Sequence, residues 1–247
     1  MKFSVTAFMC VFNEADILPW TIRHLIAQGV DVHVIDNWSS DASPAIAQSF
    51  PLIGWERFPA DGPSKYFSLR ALLHRVEDLA EVSKANWCVH HDADEIRRSN
   101  VPGERLVEAY QRSAYEGYNA VNHRTYVFYP TDEGYQGNPE NYFRYYTDDT
   151  MRRINAWQNS GHTGRVDLAS TGGHAVRFPR MQVHPQKLIL KHYPIRNSVQ
   201  GERKVIHERL ERYDPVELKM GWHVQYTDQQ WIRNPASLSL YSGPDGG

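Results

Sequence analysis

The sequence predicts an α/β fold, with a mostly parallel central sheet flanked by helices and a mixed C-terminal half. Three observations carry this. The first ninety or so residues alternate short apolar runs with segments of helical periodicity, the pattern of βαβ units. The apolar runs are near-continuous, as in strands of a sheet covered on both faces. Polar clusters stand at the C-terminal ends of three of them: Phe12-Asn13-Glu14, Asp36-Asn37 and Asp92-Ala93-Asp94. Ligands of parallel sheets bind beyond the carboxyl ends of the strands, so the three clusters are expected to meet on one edge.

The elements follow in order. Residues 3–12 form the first strand. Lys2 and the run behind it imitate the start of a secretory signal. The run is short, however, and ends in Asn13-Glu14-Ala15-Asp16 without a small-residue cleavage site. Residues 15–29 read as a helix, with Ile17, Leu18, Ile22, Leu25 and Ile26 at helical spacing and Gly29 as the stop. Pro19 favours a regular helix that begins there. Residues 31–36 form a second strand, and Asn37-Trp38-Ser39-Ser40-Asp41 is turn chemistry. A short helix over 44–50, a strand over 53–58 and a turn-rich loop over 59–63 come next. A long helix over 64–82 carries Phe67, Leu69, Leu72, Leu73 and Val76 on its apolar face. The strand 87–91 ends in Asp92. In the second half we expect a helix over 101–110, strands over 120–129, 175–178 and 188–192, and an aromatic and polar loop over 131–146. Long loops in compact domains are often functional. Residues 199–213 read as an amphipathic helix through Val199, Ile206, Leu210 and Tyr213, and 242–247 as a frayed tail. With neither repeat nor linker, 1–247 is read as a single domain.

The 247 residues, 41% hydrophobic and 23% charged, fit a globular protein, and a formal charge of −2 gives no reason to expect nucleic acid as a partner. No transmembrane segment is expected, because no apolar run reaches the ~18 residues a bilayer requires. Cys10 and Cys88 both sit in apolar runs. A disulfide framework is therefore not expected, and a reducing, cytoplasmic setting is, with peripheral contact with the inner membrane face as an option.

Asp92 and Asp94 are two residues apart, which on a strand places both carboxylates on one side. Two hard oxygen donors at a strand end suit Mn²⁺ or Mg²⁺ bridged to phosphate oxygens. Glu95 adds a third acid, and the alternative is a solvated acidic loop. Asp36 can accept hydrogen bonds from a base or ribose, or serve the turn, with Ser43 or Asp41 capping the helix behind Pro44. Arg70 and Lys65 are candidates for a diphosphate, or for a solvated helix face.

The run Val11-Phe12-Asn13-Glu14 followed by Val34-Ile35-Asp36-Asn37-Trp38-Ser39-Ser40-Asp41 resembles the opening of family 2 glycosyltransferases and their relatives of GT-A fold. His91-Asp92-Ala93-Asp94-Glu95 is similar to that family's metal motif. Gly172-Gly173-His174, Lys191-His192-Tyr193-Pro194-Ile195-Arg196 and Gly221-Trp222-His223-Val224-Gln225-Tyr226 resemble a bacterial branch of it. Many members have glycine where this chain has Trp38. The resemblance implies a GT-A-like, Rossmann-type sheet, with residues 1–100 as the nucleotide-binding half and 101–247 as the acceptor-side half. It implies a nucleotide-sugar donor, with UDP as the expected nucleotide, and a glycan, lipid-linked glycan or small-molecule acceptor, as in polysaccharide biosynthesis. It places Phe12, Asn13, Glu14, Asp36 and Asn37 near the nucleoside. Asp92 and Ala93 come by ribose and metal, Asp94 becomes the firmest metal ligand, and His192 a late one, with a structural histidine as the alternative.

The reaction so implied is metal-assisted sugar transfer to a hydroxyl with inversion at the anomeric carbon. It needs a general base. His174 is the candidate, since Gly172-Gly173 allows close approach of a ligand; Asp149 and Asp167 are rivals. Arg196 is expected to close over the phosphates. Arg203 and Lys204 could close with it, but are expected on a solvated helix face, since Glu202, Glu208 and Glu211 interleave with them. The alternatives are a nucleotidyltransferase, disfavoured by the lack of glycine in 11–16, and a silent nucleotide- or sugar-binding module, disfavoured by the paired carboxylates.

Overall fold

The structure is a computed structural model and describes residues 2–160, 164–219, 221–222 and 230–243. In chain order the elements are β1 (Val5–Val11), α1 (Leu18–Ala27), β2 (Asp31–Asp36), α2 (Ser43–Gln48), β3 (Gly54–Arg57), α3 (Leu69–Val82), β4 (Trp87–Asp92) and β5 (Glu95–Arg98). Then come α4 (Leu106–Tyr115), β6 (Ala120–Val121), β7 (His123–Phe128), α5 (Pro139–Tyr142), β8 (Tyr145–Asp149), β9 (Ala156–Gln158) and β10 (Leu188–His192). The last are α6 (Ser198–Glu202), which runs on as a π-helix over Arg203–Leu210, then α7 (Pro215–Lys219) and β11 (Ser239–Leu240).

The first sheet has the order β3-β2-β1-β4-β9-β6, and its first four strands are parallel. Alternation along β1 explains how both faces are covered. Val5, Ala7, Met9 and Val11 face a core with Leu18, Ile22 and Leu25 of α1 and Leu106 and Ala109 of α4. Phe8 and Cys10 face the other core, under Leu72, Leu73 and Val76 of α3. The chain fills β1, β2 and β3 outward, then α3 carries it back to place β4 on the far side of β1. The order 3-2-1-4 is that of a Rossmann-type sheet, and its switch point lies between β1 and β4. The expected fold class holds.

The second sheet, β11-β8-β7-β10-β5, is largely antiparallel. The chain leaves the first sheet at Asp92, turns through Ala93-Asp94 and enters the second as β5. Asp92-Ala93-Asp94 is therefore the joint between the two sheets. The regular part of α1 does begin around Pro19, which lies in its first turn.

Other expectations shift. The helix expected over 101–110 starts at Leu106, behind the Ser99–Glu104 turn. The strand expected over 120–129 is broken between Val121 and His123, where the chain passes from one sheet to the other. Residues 175–178 make only isolated bridges, Ile154 to Ala175 and Asp167 to Arg177. The helix expected over 199–213 changes pitch at Arg203. A π-helix bonds i to i+5, so its faces drift from a 3.6 spacing. Val199 is 78% exposed and Leu210 47%, whereas Lys204 is 2% exposed and Val205 fully buried.

Candidate functional site

The three polar clusters meet at the switch point, and a fourth segment, the π-helix and the turn behind it, lies across them. Asn13 takes the left-handed conformation at φ 52°. Its Oδ1 accepts from the Ser40 and Asp41 amides at 2.8 and 3.3 Å, and its Nδ2 donates to Glu208 Oε1 at 2.8 Å. Arg203 donates to the Asn13 carbonyl at 3.1 Å. The end of β1 is thereby tied both to the 37–41 turn and to a segment nearly two hundred residues away.

Asp94 and Glu14 form the centre. Lys204 Nζ lies 2.8 Å from Asp94 Oδ2 and 2.6 Å from Glu14 Oε1. His192 Nε2 is 3.4 Å from Asp94 Oδ1. The β10–β5 register brings it there, because His192 pairs with Glu95, the residue after Asp94. Asp94 is buried, yet Lys204 first and His192 second hold its carboxyl well below the usual carboxylate range. The Asp94 charge raises the His192 imidazole pKa in spite of burial. Arg196 is fully buried. It donates to Glu14 Oε2 at 2.5 Å, to Asp16 Oδ2 at 2.6 Å and to the Tyr193 carbonyl at 3.0 Å.

Several expected residues have other partners. Glu14 faces Lys204 and Arg196 rather than an open nucleoside cleft. Arg196 is saturated by two carboxylates and a carbonyl, which leaves it unsuited to close over a phosphate. Asp36, buried, accepts from the Ser39 amide with both oxygens at 3.3 Å and lies 3.3 Å from Arg57, so it shapes the turn. Burial raises its pKa. Trp38 sits at φ 60°, the region that favours glycine, with its indole N–H on the Pro59 carbonyl at 2.8 Å and Arg57 4.8 Å over its ring. Asn37 donates to the Phe58 carbonyl at 2.9 Å and accepts from Arg212 at 3.1 Å. Arg212 also lies 4.1 Å over the half-buried ring of Phe12. Ala93 packs into the core beneath the sheet. Arg70 is exposed in the first turn of α3, and among the described residues its side chain makes no contact with the cluster.

Asp92 and Asp94 do not share one side of a strand, because the chain turns between them. The Asp92 side chain keeps 50% of its surface and is 3.7 Å from His90 Nε2. Burial of its carboxyl, then the Glu95 and Asp94 charges, push it up to about 6. His174 accepts an Arg153 N–H at Nδ1. Arginine only donates, so neutral His174 carries its proton on Nε2 and has no free lone pair with which to take another. Burial, then Arg153, lower its pKa to about 4. A side chain at Gly173 would meet His90 and Leu73, so the close approach there is internal packing. Of the rivals, Asp149 pairs with Arg153 at 2.9 Å, and Asp167 accepts from the Ser170 amide and hydroxyl at 2.9 and 2.5 Å. The stretch Gly221-Trp222-His223-Val224-Gln225-Tyr226 lies outside the described residues from His223 onward.

Arg212 is a functional candidate that sequence reading missed, and Lys204 one that it set aside. The interleaved glutamates put Lys204 on a solvated face, and the apolar stripe through Val199 and Leu210 points the core the other way; the structure buries Gln200, Gly201, Lys204 and Val205 instead. Arg212 makes no ion pair among the described residues. Burial lowers its pKa, as expected of a partly desolvated guanidinium, with Glu208 only partly offsetting the effect.

No family model matches the chain, and no curated protein matches it. Solved structures do. Glucosyl-3-phosphoglycerate synthase from Mycobacterium tuberculosis, in complex with Mn²⁺, UDP and glucosyl-3-phosphoglycerate, is 15% identical, with a TM-score of 0.35 over 51% of this chain and 44% of its own. The chain thus spans less than half the length of that synthase. A 4-diphosphocytidyl-2C-methyl-D-erythritol synthase is 14% identical, with a TM-score of 0.35 over 64% of this chain and 76% of its own. Alignments this partial speak to no particular activity. No described helix is long and apolar enough to cross a membrane.

Proposed function

We propose that the chain is a glycosyltransferase that moves a sugar from a nucleoside-diphosphate sugar, UDP-linked in first place, to an acceptor hydroxyl. The observation that supports this best is the convergence of Asn13, Asn37 and Asp92-Ala93-Asp94 on the switch point between β1 and β4. That is where a Rossmann-type sheet takes a nucleotide. Phe12 and Arg212 supply a ring and a cation at this edge, a pairing suited to a base and a phosphate.

The resemblance also implies Mn²⁺ or Mg²⁺. Asp92, Asp94 and His192 are the right kinds of donor. As arranged they do not fit an ion, because Lys204 fills the Asp94 Oδ2 position and His192 faces Oδ1. The step is therefore derived from the chain's own groups. The bond from the anomeric carbon to the β-phosphate oxygen breaks, and its electron pair stays on the diphosphate. The acceptor oxygen attacks from the opposite face with inversion, and its proton passes to a base on the acceptor side. His174, with Nδ1 engaged by Arg153, is not carried forward as that base.

A thermal-shift panel of UDP, GDP, CDP, ADP and their sugar conjugates tests the reading, since bound ligand stabilises by mass action. We expect one nucleotide class to raise Tm, and its sugar conjugate to release free nucleoside diphosphate slowly. A nucleotidyltransferase would instead release pyrophosphate from a nucleoside triphosphate. No shift with any nucleotide, with or without Mn²⁺, refutes the proposal.

A further inference from the structure

We propose that Lys204 is a built-in counter-ion that takes the place of a divalent metal at Asp94, so that this chain binds its nucleotide without one. The inference rests on the nucleotide reading above and concerns how the same site balances charge.

The position of Lys204 carries the argument. Its ammonium lies between Glu14 Oε1 at 2.6 Å and Asp94 Oδ2 at 2.8 Å, and the side chain is almost wholly buried. Two acids this close, at the end of a sheet that receives phosphates, repel each other and any incoming diphosphate unless a cation stands with them. A metal is one such cation; here a lysine already performs that task. Arg196 satisfies the other Glu14 oxygen and Asp16, and His192 faces the remaining Asp94 oxygen, so every carboxylate oxygen of Glu14 and Asp94 has a cationic or imidazole neighbour. A diphosphate that arrives at this edge meets a compensated pair of acids rather than a bare one.

The second observation is Arg212. It is half-buried over Phe12, bonded to Asn37, and paired with no carboxylate among the described residues. A partly desolvated arginine without a counter-anion favours a ligand that brings one. Arg212 is thus the direct phosphate contact, and Lys204 acts through Asp94 and Glu14 as a positioning residue. When the bond to the anomeric carbon breaks, the charge left on the diphosphate is met by Arg212, beside an edge that Lys204 has already neutralised.

The experiment is a calorimetric titration of the full chain with UDP, GDP, CDP and ADP, in EDTA and in Mn²⁺. Wild type, Lys204→Gln and Lys204→Arg are compared, alongside Mn²⁺ binding to the free wild type followed by its electron paramagnetic resonance. Wild type should bind the same nucleotide in both buffers with Kd values within about threefold, and should bind no Mn²⁺ tightly on its own. Lys204→Gln should bind about 10- to 100-fold more weakly in EDTA and recover with Mn²⁺, because the vacated carboxylates then accept the ion. Lys204→Arg should keep binding in EDTA. A lysine of purely structural importance would not exchange its charge for a metal requirement. Wild-type binding that appears only with Mn²⁺ overturns the inference and leaves the nucleotide reading intact, whereas absence of binding in both buffers overturns both. Unaltered affinity of Lys204→Gln in EDTA overturns the inference as well. Should Lys204→Gln fail to fold, stoichiometric Mn²⁺ on the free wild type still overturns it.

Discussion

Replacing Arg196 by Ala separates a structural cation from a phosphate-binding one. The guanidinium is fully buried and makes four hydrogen bonds, to Glu14, twice to Asp16, and to the Tyr193 carbonyl. Removing one partner of a buried ion pair costs about 3–5 kcal/mol, since the remaining charge is left without compensation. Two features reduce that figure here. Asp16 is 36% exposed, so water takes over much of its solvation. Glu14 retains Lys204 at 2.6 Å. Against this, the Tyr193 carbonyl loses its donor, and the space of a large side chain is vacated. We expect Arg196→Ala to lower stability by about 2–4 kcal/mol. The assay is urea unfolding followed by circular dichroism, in which the midpoint should fall with little change of slope. Nucleotide affinity of the folded fraction should stay within about threefold of wild type, which is less than ~1 kcal/mol. A variant with wild-type stability and at least about tenfold weaker nucleotide binding would refute the reasoning, and would return Arg196 to the phosphate-closing role.

Two further predictions concern parts of the chain away from the switch point. Arg98 and Lys191 flank Glu140; despite burial, the Arg98 hydrogen bond and the Lys191 charge lower its pKa from the ordinary 4.5 to about 2. A carboxyl depressed in the folded state adds stability above its unfolded pKa, and loses it as pH falls toward the folded one. At about 1.4 kcal/mol per unit the ceiling is about 3 kcal/mol. Glu140→Gln should therefore be about 1–3 kcal/mol less stable than wild type at pH 7 and converge with it near pH 2. A gap that persists unchanged to pH 2 in parallel urea titrations rules out the charge account. Glu217 caps α3, accepting from Ser68 Oγ at 3.1 Å and from the Leu69 and Arg70 amides at 3.2 and 2.8 Å. Glu217→Ala should lower stability by about 1–2 kcal/mol and speed proteolysis of the segment behind the π-helix. Stability within about 0.5 kcal/mol of wild type would mean that water replaces the cap.

Much of the fold is legible because its signals are local. Strands 31–36 and 188–192 are read to the residue, because short runs dominated by Val, Ile and Leu stand between turn residues. The edge where ligands bind follows from the same runs, since their polar ends need only share a direction. The second sheet is less legible. Glu95–Arg98 is a strand in which three charged residues flank Ile96, two of them buried through Arg97–Glu95 at 2.6 Å, and nothing local marks it. Glu14 and Arg196 are 182 positions apart, so their pairing belongs to topology and not to any window of sequence. His192, which closes an apolar strand, is expected near Asp94 through the family resemblance, and the β10–β5 register that puts it there is again non-local.

The largest misplacement, that of Lys204, has a specific physical cause. Periodicity assigns the buried face to whichever stripe is apolar. With a 3.6-residue turn, Val199, Ile206, Leu210 and Tyr213 form a stripe, and Lys204 lies opposite it. The structure buries the opposite stripe, Gln200, Gly201, Lys204 and Val205, at the spacing of the same 3.6-residue turn, and leaves Val199 and Leu210 exposed. Lys204 meets Glu14 and Asp94 there, one residue into the π-helix over Arg203–Leu210. Such segments cluster at functional sites, where an irregular ladder is tolerated because side-chain contacts compensate for it. Here the compensation is visible: Lys204 to two carboxylates, Arg203 to the Asn13 carbonyl, Glu208 to the Asn13 amide. A polar stripe is buried here because its lysine has two carboxylates to meet, and the charge balance of the switch point depends on that contact.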